Sequence, residues 1–385
     1  MDNPSDFSRR HLLKASSLLL GSSLLSSVSQ AKSNINKSAP IKSNTNKPHK
    51  KLGIALVGLG YYSTDLLAPA LEHTEHCHLA GIVTGTPSKE KIWQEKYGIK
   101  SSNIYNYENF DSIVDNDDID IVYIVLPNAM HKDFTLRAAK AGKHVICEKP
   151  MAMNALECEA MIKACEDNRV RLTLGYRMHF EPHTQHIMHL GKTLPFGDIE
   201  LITANAGFRV QGLRPGSWRF KEAMGGGWMM DMGIYAIQAA RYAKQQEPIA
   251  VSAQSHTRRH KMFVEIPETT TAQLTFADHS LATISGTASA FVSDLNVTCE
   301  TGSYDLKPFW TYEGVQGHVN GKPFDFPPVP QQVVQMDEMA VCIRDNIPMR
   351  VSGEEGLKDM LVMDAIGQSI RQDGKTIKLN TVYSV

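Results

Sequence analysis

A short apolar run that ends in a glycine turn sets the tightest limit on what this chain can fold into. Leu52-Gly53-Ile54-Ala55-Leu56-Val57 passes directly into Gly58-Leu59-Gly60-Tyr61-Tyr62-Ser63, and a helical pattern follows through Leu66, Leu67, Ala70 and Leu71. Strand, glycine turn and helix in that order make the first unit of a doubly wound parallel sheet that takes a dinucleotide at its carboxyl edge. Gly58 permits the tight turn, and Gly60 lets a pyrophosphate approach the backbone in front of a helix N-terminus. Ser63 stands where a third glycine is usual, a position a small residue can satisfy.

The alternation continues. A strand over 78–83 ends at Thr84-Gly85-Thr86-Pro87-Ser88-Lys89. An NAD site usually places Asp or Glu at this strand end to bind the ribose hydroxyls. Here Thr84 offers a hydroxyl and Lys89 a cation, a pairing that suits a 2'-phosphate and favours NADP; the plain alternative for Lys89 is a solvated helix residue. Residues 119–126 are a near-continuous apolar run, as expected of a strand buried on both faces, and end in Leu126-Pro127-Asn128 with His131 opening the next helix. A strand over 144–147 ends in Glu148-Lys149-Pro150, and a helix over 154–168 with a strand over 171–174 completes the unit. The predicted nucleotide domain is 51–174, with its ligand loops beyond the carboxyl ends of the strands.

After Gly175 the pattern changes to longer β-like stretches, over 199–204, 249–255, 270–276 and 280–288, followed by helices over 333–346 and 354–372. These predict an α+β domain over 175–385, built on a large, open, mainly antiparallel sheet with one covered face. The whole is therefore α/β plus α+β, and 385 residues suffice for two such domains. A formal net charge of -1 gives no electrostatic case for nucleic acid or an anionic membrane. None of the six cysteines stands in a CxxC pair or has zinc-like histidine spacing, so they read as small buried hydrophobes with free thiols. His183, His186 and His189 have ligand-like spacing but read better as a solvated helix face, and no metal site is expected.

The N-terminus reads as a targeting segment. Ser8-Arg9-Arg10-His11-Leu12-Leu13-Lys14 precedes an apolar stretch over 15–28 that is too short to span a bilayer, and Ser29-Gln30-Ala31 supplies small residues for cleavage. This resembles the bacterial twin-arginine (Tat) signal, which exports folded proteins to the periplasm. It predicts removal of 1–31, a mature chain from Lys32 and no membrane span thereafter. Residues 32–50, rich in Asn, Ser, Lys and Pro, read as a flexible arm.

Glu148-Lys149-Pro150, with the glycine turn before it, resembles the Gfo/Idh/MocA oxidoreductase superfamily. The likeness narrows at the run from Gly175 through Tyr176, Arg177 and His179 to Pro182, and again at Gly225-Gly226-Gly227-Trp228-Met229-Met230-Asp231-Met232-Gly233-Ile234-Tyr235. Most dehydrogenases of that superfamily carry histidine where Tyr235 stands; the Asp231 and Tyr235 version, with Tat export and Lys89, is similar to the glucose–fructose oxidoreductase branch. The resemblance implies that Gly58, Leu59, Gly60, Tyr61 and Tyr62 line a pyrophosphate, that Thr84 and Lys89 take the 2'-phosphate, and that Tyr107 lies near the adenine. It implies that Leu126, Pro127, Asn128, His131, Glu148 and Lys149 border the ribose and nicotinamide, with Arg177, Trp218 and Arg219 reaching back from the second domain. Lys149, Asp231 and Tyr235 would form the catalytic group and contact the sugar, with His179 a further substrate contact or a structural histidine. Residues 205–215 show no firm match.

Sugar oxidation needs a base for the hydroxyl proton and an acceptor for the hydride. Tyr235 serves as that base if its pKa falls from about 10 toward neutrality, and a nearby Lys149 ammonium would lower it. Asp231, four residues before Tyr235, would share its helix face and orient the sugar; the plain alternatives are a helix-start carboxylate and a core aromatic. The function expected is an exported oxidoreductase with tightly bound NADP that oxidises an aldose at C1 and reduces a ketose or second sugar, as a homo-dimer or homo-tetramer. The alternatives are an NAD-dependent, redox-neutral glycosidase of the same superfamily and a non-catalytic sugar or nucleotide binder.

Overall fold

The computed structural model describes residues 50–213 and 216–379; the signal segment and all but the last residue of the arm lie outside them. Six strands, β1 (Leu52–Val57), β2 (Cys77–Val83), β3 (Ile104–Tyr105), β4 (Ile121–Ile124), β5 (His144–Cys147) and β6 (Leu172–Leu174), form one all-parallel sheet. Their order is β3-β2-β1-β4-β5-β6. β1 and β4 are buried almost end to end, because helices cover both faces and every side chain points into one of two cores. The strand order reverses between β1 and β4, which opens a crevice at their carboxyl ends. There Gly58 packs so closely on the Val125 carbonyl that a Cβ would stand 2.4 Å from the oxygen.

The helix after the glycine turn starts with a π-wound stretch, Tyr62–Leu67, before the short α1 (Ala68–Leu71). α2 (Pro87–Tyr97) follows β2 with Pro87 in its first turn, where the missing N–H costs nothing. α3 (His131–Lys140) opens at His131 as predicted, and α4 (Ala155–Asp167) is capped by Asn154, whose side chain accepts from the Glu157 N–H at 3.0 Å.

The second sheet has nine strands: β7 (Ile199–Gly207), β8 (Ala250–His256), β9 (Thr269–Thr275), β10 (Leu281–Thr287), β11 (Val292–Cys299), β12 (Ser303–Leu306), β13 (Gly317–Val319), β14 (Lys322–Phe324) and β15 (Ile377–Lys378). Their order is β14-β13-β12-β11-β7-β10-β9-β8-β15, antiparallel throughout except where β7 pairs with β10. One face is covered. α5 (Pro182–Thr193) and α6 (Ile234–Lys244) pack there, followed by α7 (Gln331–Arg344) toward the first sheet and α8 (Gly353–Arg371) beneath β8. The other face presents short polar side chains such as Thr271, Gln273, Thr283 and Asn296, tied by bonds such as Asn205 to Asp294 at 2.7 Å and Thr269 to Thr287 at 3.0 Å. Alternation along β9 and β10 produces that division.

α6 is buried along its whole length yet carries Arg241. Its guanidinium meets Asp359 of α8, Glu247 at 2.6 Å and Glu355 at 2.9 Å, so the charge is compensated where it lies. All six cysteines are buried and unpaired. The histidine row on α5 is a solvated face only at its end, where His189 is exposed. His183 is buried with Nδ1 at 2.7 Å from Glu181, and His186 packs its ring on Phe324 and Phe326, at 4.7 and 5.4 Å between centroids. β14 and the segment after it supply this cover, which the spacing of the histidines alone does not reveal. Among the described residues no group of three or more His, Cys, Asp or Glu side chains is placed to hold a metal, and no helix is long and apolar enough to cross a membrane.

Candidate active site

The glycine turn forms a cradle. Gly58 has φ +90°, a conformation that favours glycine. Ser63, at the third position, is fully buried, and its hydroxyl donates to the Gly58 carbonyl at 2.6 Å. The serine therefore closes the turn through a bond that glycine could not make. A Cβ on Gly60 would meet nothing within 4 Å, so the space in front of the turn is open. Leu59 is buried beneath the turn, and Tyr61 is exposed at its rim. The Lys89 ammonium donates to the Leu59 carbonyl at 2.5 Å, which carries a positive charge from α2 to the edge of the cradle. Thr84 is buried there with its hydroxyl accepting from the Thr86 N–H, and the Tyr107 ring lies against Gly85, 2.7 Å from where a Cβ would be. Open backbone, a helix start and a lysine at the ribose end fit the phosphates of a dinucleotide.

Gly60→Val follows as a test. Open space means the fold tolerates the side chain, with stability changed by less than about 1 kcal/mol, while a bound pyrophosphate would be displaced. Thermal unfolding and nucleotide content of purified protein measure the two effects. Full retention of nucleotide would remove Gly60 from the cradle.

The β4 and β5 loops face this turn. Asn128 is buried and donates to the Gly225 carbonyl at 2.7 Å; a Cβ on Gly225 would stand 2.6 Å from the Asn128 Cβ, so that glycine allows the two loops to touch. Leu126 is buried and Pro127 leads into the 3-10 turn Asn128–Met130. His131 is fully buried, its Nδ1 at 2.9 Å from the Pro150 carbonyl and its Nε2 at 2.9 Å from the Leu126 carbonyl. It braces the two loops from beneath rather than facing a ligand. Glu148 is buried too. It accepts from the Tyr123 hydroxyl at 2.8 Å, which in turn accepts from Gln335 of α7 at 3.0 Å. Burial raises the Glu148 pKa, with Lys149 and the Tyr123 bond working against the rise.

Lys149, Asp231 and Tyr235 converge although 82 residues separate the first two. The Lys149 ammonium donates to the Asp231 backbone carbonyl at 2.6 Å and to its Oδ1 at 3.2 Å, and lies 4.9 Å from the centre of the Tyr235 ring. Asp231 sits in a second π-wound turn, Met229–Gly233, that runs straight into α6 and so keeps Asp231 and Tyr235 on one side of the helix. Arg219 reaches Asp231 Oδ2 at 2.7 Å and stacks on Trp218, its Cζ 4.6 Å from the ring centre. Burial would raise the Asp231 pKa, but Lys149 and Arg219 outweigh it and hold the carboxyl down to about 2. Burial likewise opposes the Lys149 ammonium, but Tyr235, Asp231 and Glu148 more than offset it and raise its pKa.

A wall of rings completes the cluster. Arg177 is buried with its guanidinium 5.2 Å from the Tyr235 ring centre and 4.3 Å from that of Tyr312; it donates to the Trp310 carbonyl and to Gln331 at 2.8 Å. Tyr312 stacks on Tyr62 of the glycine turn at 6.2 Å, and Trp310 stacks on Tyr235 at 6.1 Å. Sequence reasoning missed Trp310 and Tyr312. The only local signal is three large aromatics in Phe309-Trp310-Thr311-Tyr312, which a strand core explains equally well.

His179 is not part of the cluster. Its ring packs edge-on against Tyr242 at 4.4 Å, two helical turns from Tyr235 along α6, and Nε2 has no hydrogen-bond partner. Burial, with help from Arg241 and Arg350, lowers its pKa to about 3. The substrate-contact option for His179 has no geometric support, because its neighbours are core side chains.

The comparisons with known proteins agree with this arrangement. Residues 52–176 match the model of an oxidoreductase family with an NAD-binding Rossmann fold, and residues 191–305 match the GFO/IDH/MocA C-terminal domain. A crystal structure of aldose-aldose oxidoreductase from Caulobacter crescentus, complexed with glycerol, is 38% identical, covers 86% of this chain and 100% of its own, and superposes with a TM-score of 0.81. D-xylose 1-dehydrogenase [NADP(+)] from Haloarcula marismortui is 26% identical over 337 residues, 85% of this chain and 92% of that protein. KijD10, a 3-ketoreductase from Actinomadura kijaniata in complex with NADP and TDP-benzene, shares the fold at 20% identity and a TM-score of 0.75, over 83% of this chain and 98% of its own. Both parts of the molecule, the parallel sheet with its glycine turn and the mixed sheet behind Tyr235, thus have their counterparts in one group of proteins, and the chain belongs to the Gfo/Idh/MocA oxidoreductase family.

Proposed function

We propose that the protein is an exported sugar oxidoreductase that keeps NADP bound, oxidises one aldose at C1 to a lactone and returns the reducing equivalents to a second sugar. The observation that carries it is the meeting of Lys149, Asp231 and Tyr235 beside an open dinucleotide cradle. The names of two relatives, an aldose-aldose oxidoreductase and an NADP-dependent xylose dehydrogenase, point to the same class of substrate. Residues 51–174 would hold the nucleotide and 175–385 the sugar.

When bound, the nicotinamide would supply the acceptor for the hydride from C1 of the first sugar and then its donor to the carbonyl carbon of the second. The chain supplies the rest. Tyr235 takes the proton from the sugar O1 in the oxidative half and gives it back in the reductive half, with the Lys149 ammonium beside its ring. Asp231, held as a carboxylate by Lys149 and Arg219, is too weak a base to take that proton near neutrality, so it orients the sugar by accepting from its hydroxyls. Thr84 and Lys89 favour NADP over NAD. A cofactor that stays bound is what an enzyme outside the cytoplasm needs, and the twin-arginine segment before Lys32 supports export to the periplasm. The open polar face of the nine-stranded sheet offers a surface for a homo-dimer or homo-tetramer.

The test is chemical. Mature protein from Lys32, purified without added nucleotide and then denatured, is expected to release close to one NADP per chain. Release of NAD would overturn the roles given to Thr84 and Lys89, and absence of nucleotide would overturn tight retention.

A further inference from the structure

One row of rings leads away from the cluster. Tyr235 is 8% exposed, Trp310 beyond it is half-buried, and Phe291 beyond that is 60% exposed. The ring centroids step outward by 6.1 Å and then 5.1 Å, the first pair nearly parallel at 23° and the second tilted at 48°. Phe291 lies in the turn between β10 and β11, and most of its ring is open to solvent.

Trp310 is fixed from three sides. Its indole N–H donates to the Val292 carbonyl at 2.7 Å, its backbone N–H reaches Ser293 Oγ at 3.3 Å, and its carbonyl accepts from Arg177. With the indole N–H spent on backbone, the ring offers its faces and edges to a ligand, already ordered before anything binds. Beside the Phe291 turn runs the end of β7: Gly207 pairs with Val292, and the Val210 N–H donates to the Ala288 carbonyl at 2.9 Å. The exposed Arg209 lies between those two contacts along the chain. A row of aromatic faces that continues outward from Tyr235 suits a pyranose, whose C–H face is apolar and weakly positive.

We infer that Trp310 and Phe291 form an outer saccharide subsite, so that the preferred substrate is a disaccharide or longer oligosaccharide whose reducing-end residue lies at Lys149, Asp231 and Tyr235. The assignment rests on the sugar chemistry proposed above. Oxidation at C1 requires a free anomeric carbon, so the reducing-end ring sits innermost and the rest of the chain extends outward along the ring row. A monosaccharide would fill only the inner position.

The experiment uses full mature protein with its nucleotide. Rapid-mixing absorbance of the reduced nicotinamide gives kcat/KM for glucose, maltose and cellobiose in wild type and Phe291→Ala. Wild type is expected to favour at least one disaccharide over glucose by about tenfold, the strength of one good aromatic contact. Phe291→Ala should lower the disaccharide value by about fivefold or more while glucose stays within about twofold. Equal rates for glucose and both disaccharides in wild type, or an equal loss for all three in the variant, would overturn the subsite. So would a change of oligomeric state in Phe291→Ala, which would make the ring an interface residue. If no sugar reduces the cofactor, the proposed reaction fails by itself. The subsite is then read from tryptophan fluorescence: saturable quenching by a disaccharide, lost in Trp310→Phe and weakened in Phe291→Ala, supports it, and none overturns it.

Discussion

Lys149→Met is expected to lower the rate of cofactor reduction by sugar by about three orders of magnitude while the protein stays folded and loaded with nucleotide. Methionine has a similar length and is at home in a buried site, so the cavity is small. Asp231 keeps its partner Arg219 at 2.7 Å, so no unpaired carboxylate is left in the interior. What disappears is the ammonium 4.9 Å from the Tyr235 ring and the donor on the Asp231 carbonyl. Loss of a positioned acid–base partner costs about 10²- to 10⁴-fold. Single-turnover absorbance on nucleotide-loaded protein measures the loss, and the nucleotide-to-chain ratio checks that binding survives. A variant within tenfold of wild type would remove Lys149 from the chemistry.

The second large effect concerns acid. His179 titrates near 6.5 when unfolded but only at about 3 in the fold, where burial disfavours its charge. Below pH 6.5 the unfolded chain therefore binds the proton and the folded chain does not, so stability falls as pH falls, until about pH 3. By pH 4.5 the loss from this one group is about 2 to 3 kcal/mol. His179→Phe keeps a ring against Tyr242 and removes the titration; Nε2 has no partner to lose. Urea unfolding between about pH 7.5 and 4.5 should give a shallower acid slope for the variant. Parallel slopes would mean that His179 is not held neutral.

Five of the six strands of the first sheet are legible because their information is contiguous; β3, two residues long, is too short to carry a pattern. Strand, turn and helix fall within twenty residues at Leu52–Leu71, and β4 is a run of continuous apolar residues. β7 to β10 show through their alternation, but β11 to β15 do not: Ser, Asp and Asn at outward positions of β11 and β12 resemble loop composition, and β15 is two residues long. The parallel pairing of β7 with β10 follows from crossovers that no local pattern carries. In the site, the resemblance supplied Lys149, Asp231 and Tyr235, and the structure brings them together. It did not supply Arg219 as the second clamp on Asp231, His131 as a brace beneath two loops, or the Trp310 and Tyr312 wall. Each of these depends on a partner distant in sequence.

The six solitary cysteines have a consequence for handling and for travel. Each thiol is buried, and burial raises the pKa of every one of them, to about 12 at Cys77 and Cys165. Exchange proceeds through the thiolate, and a sulfur with neither charge nor access is a poor participant. A chain folded once under reducing conditions can therefore meet an oxidant without scrambling. Its sulfur chemistry is locked by its packing, and reducing agent should be dispensable for as long as the fold holds.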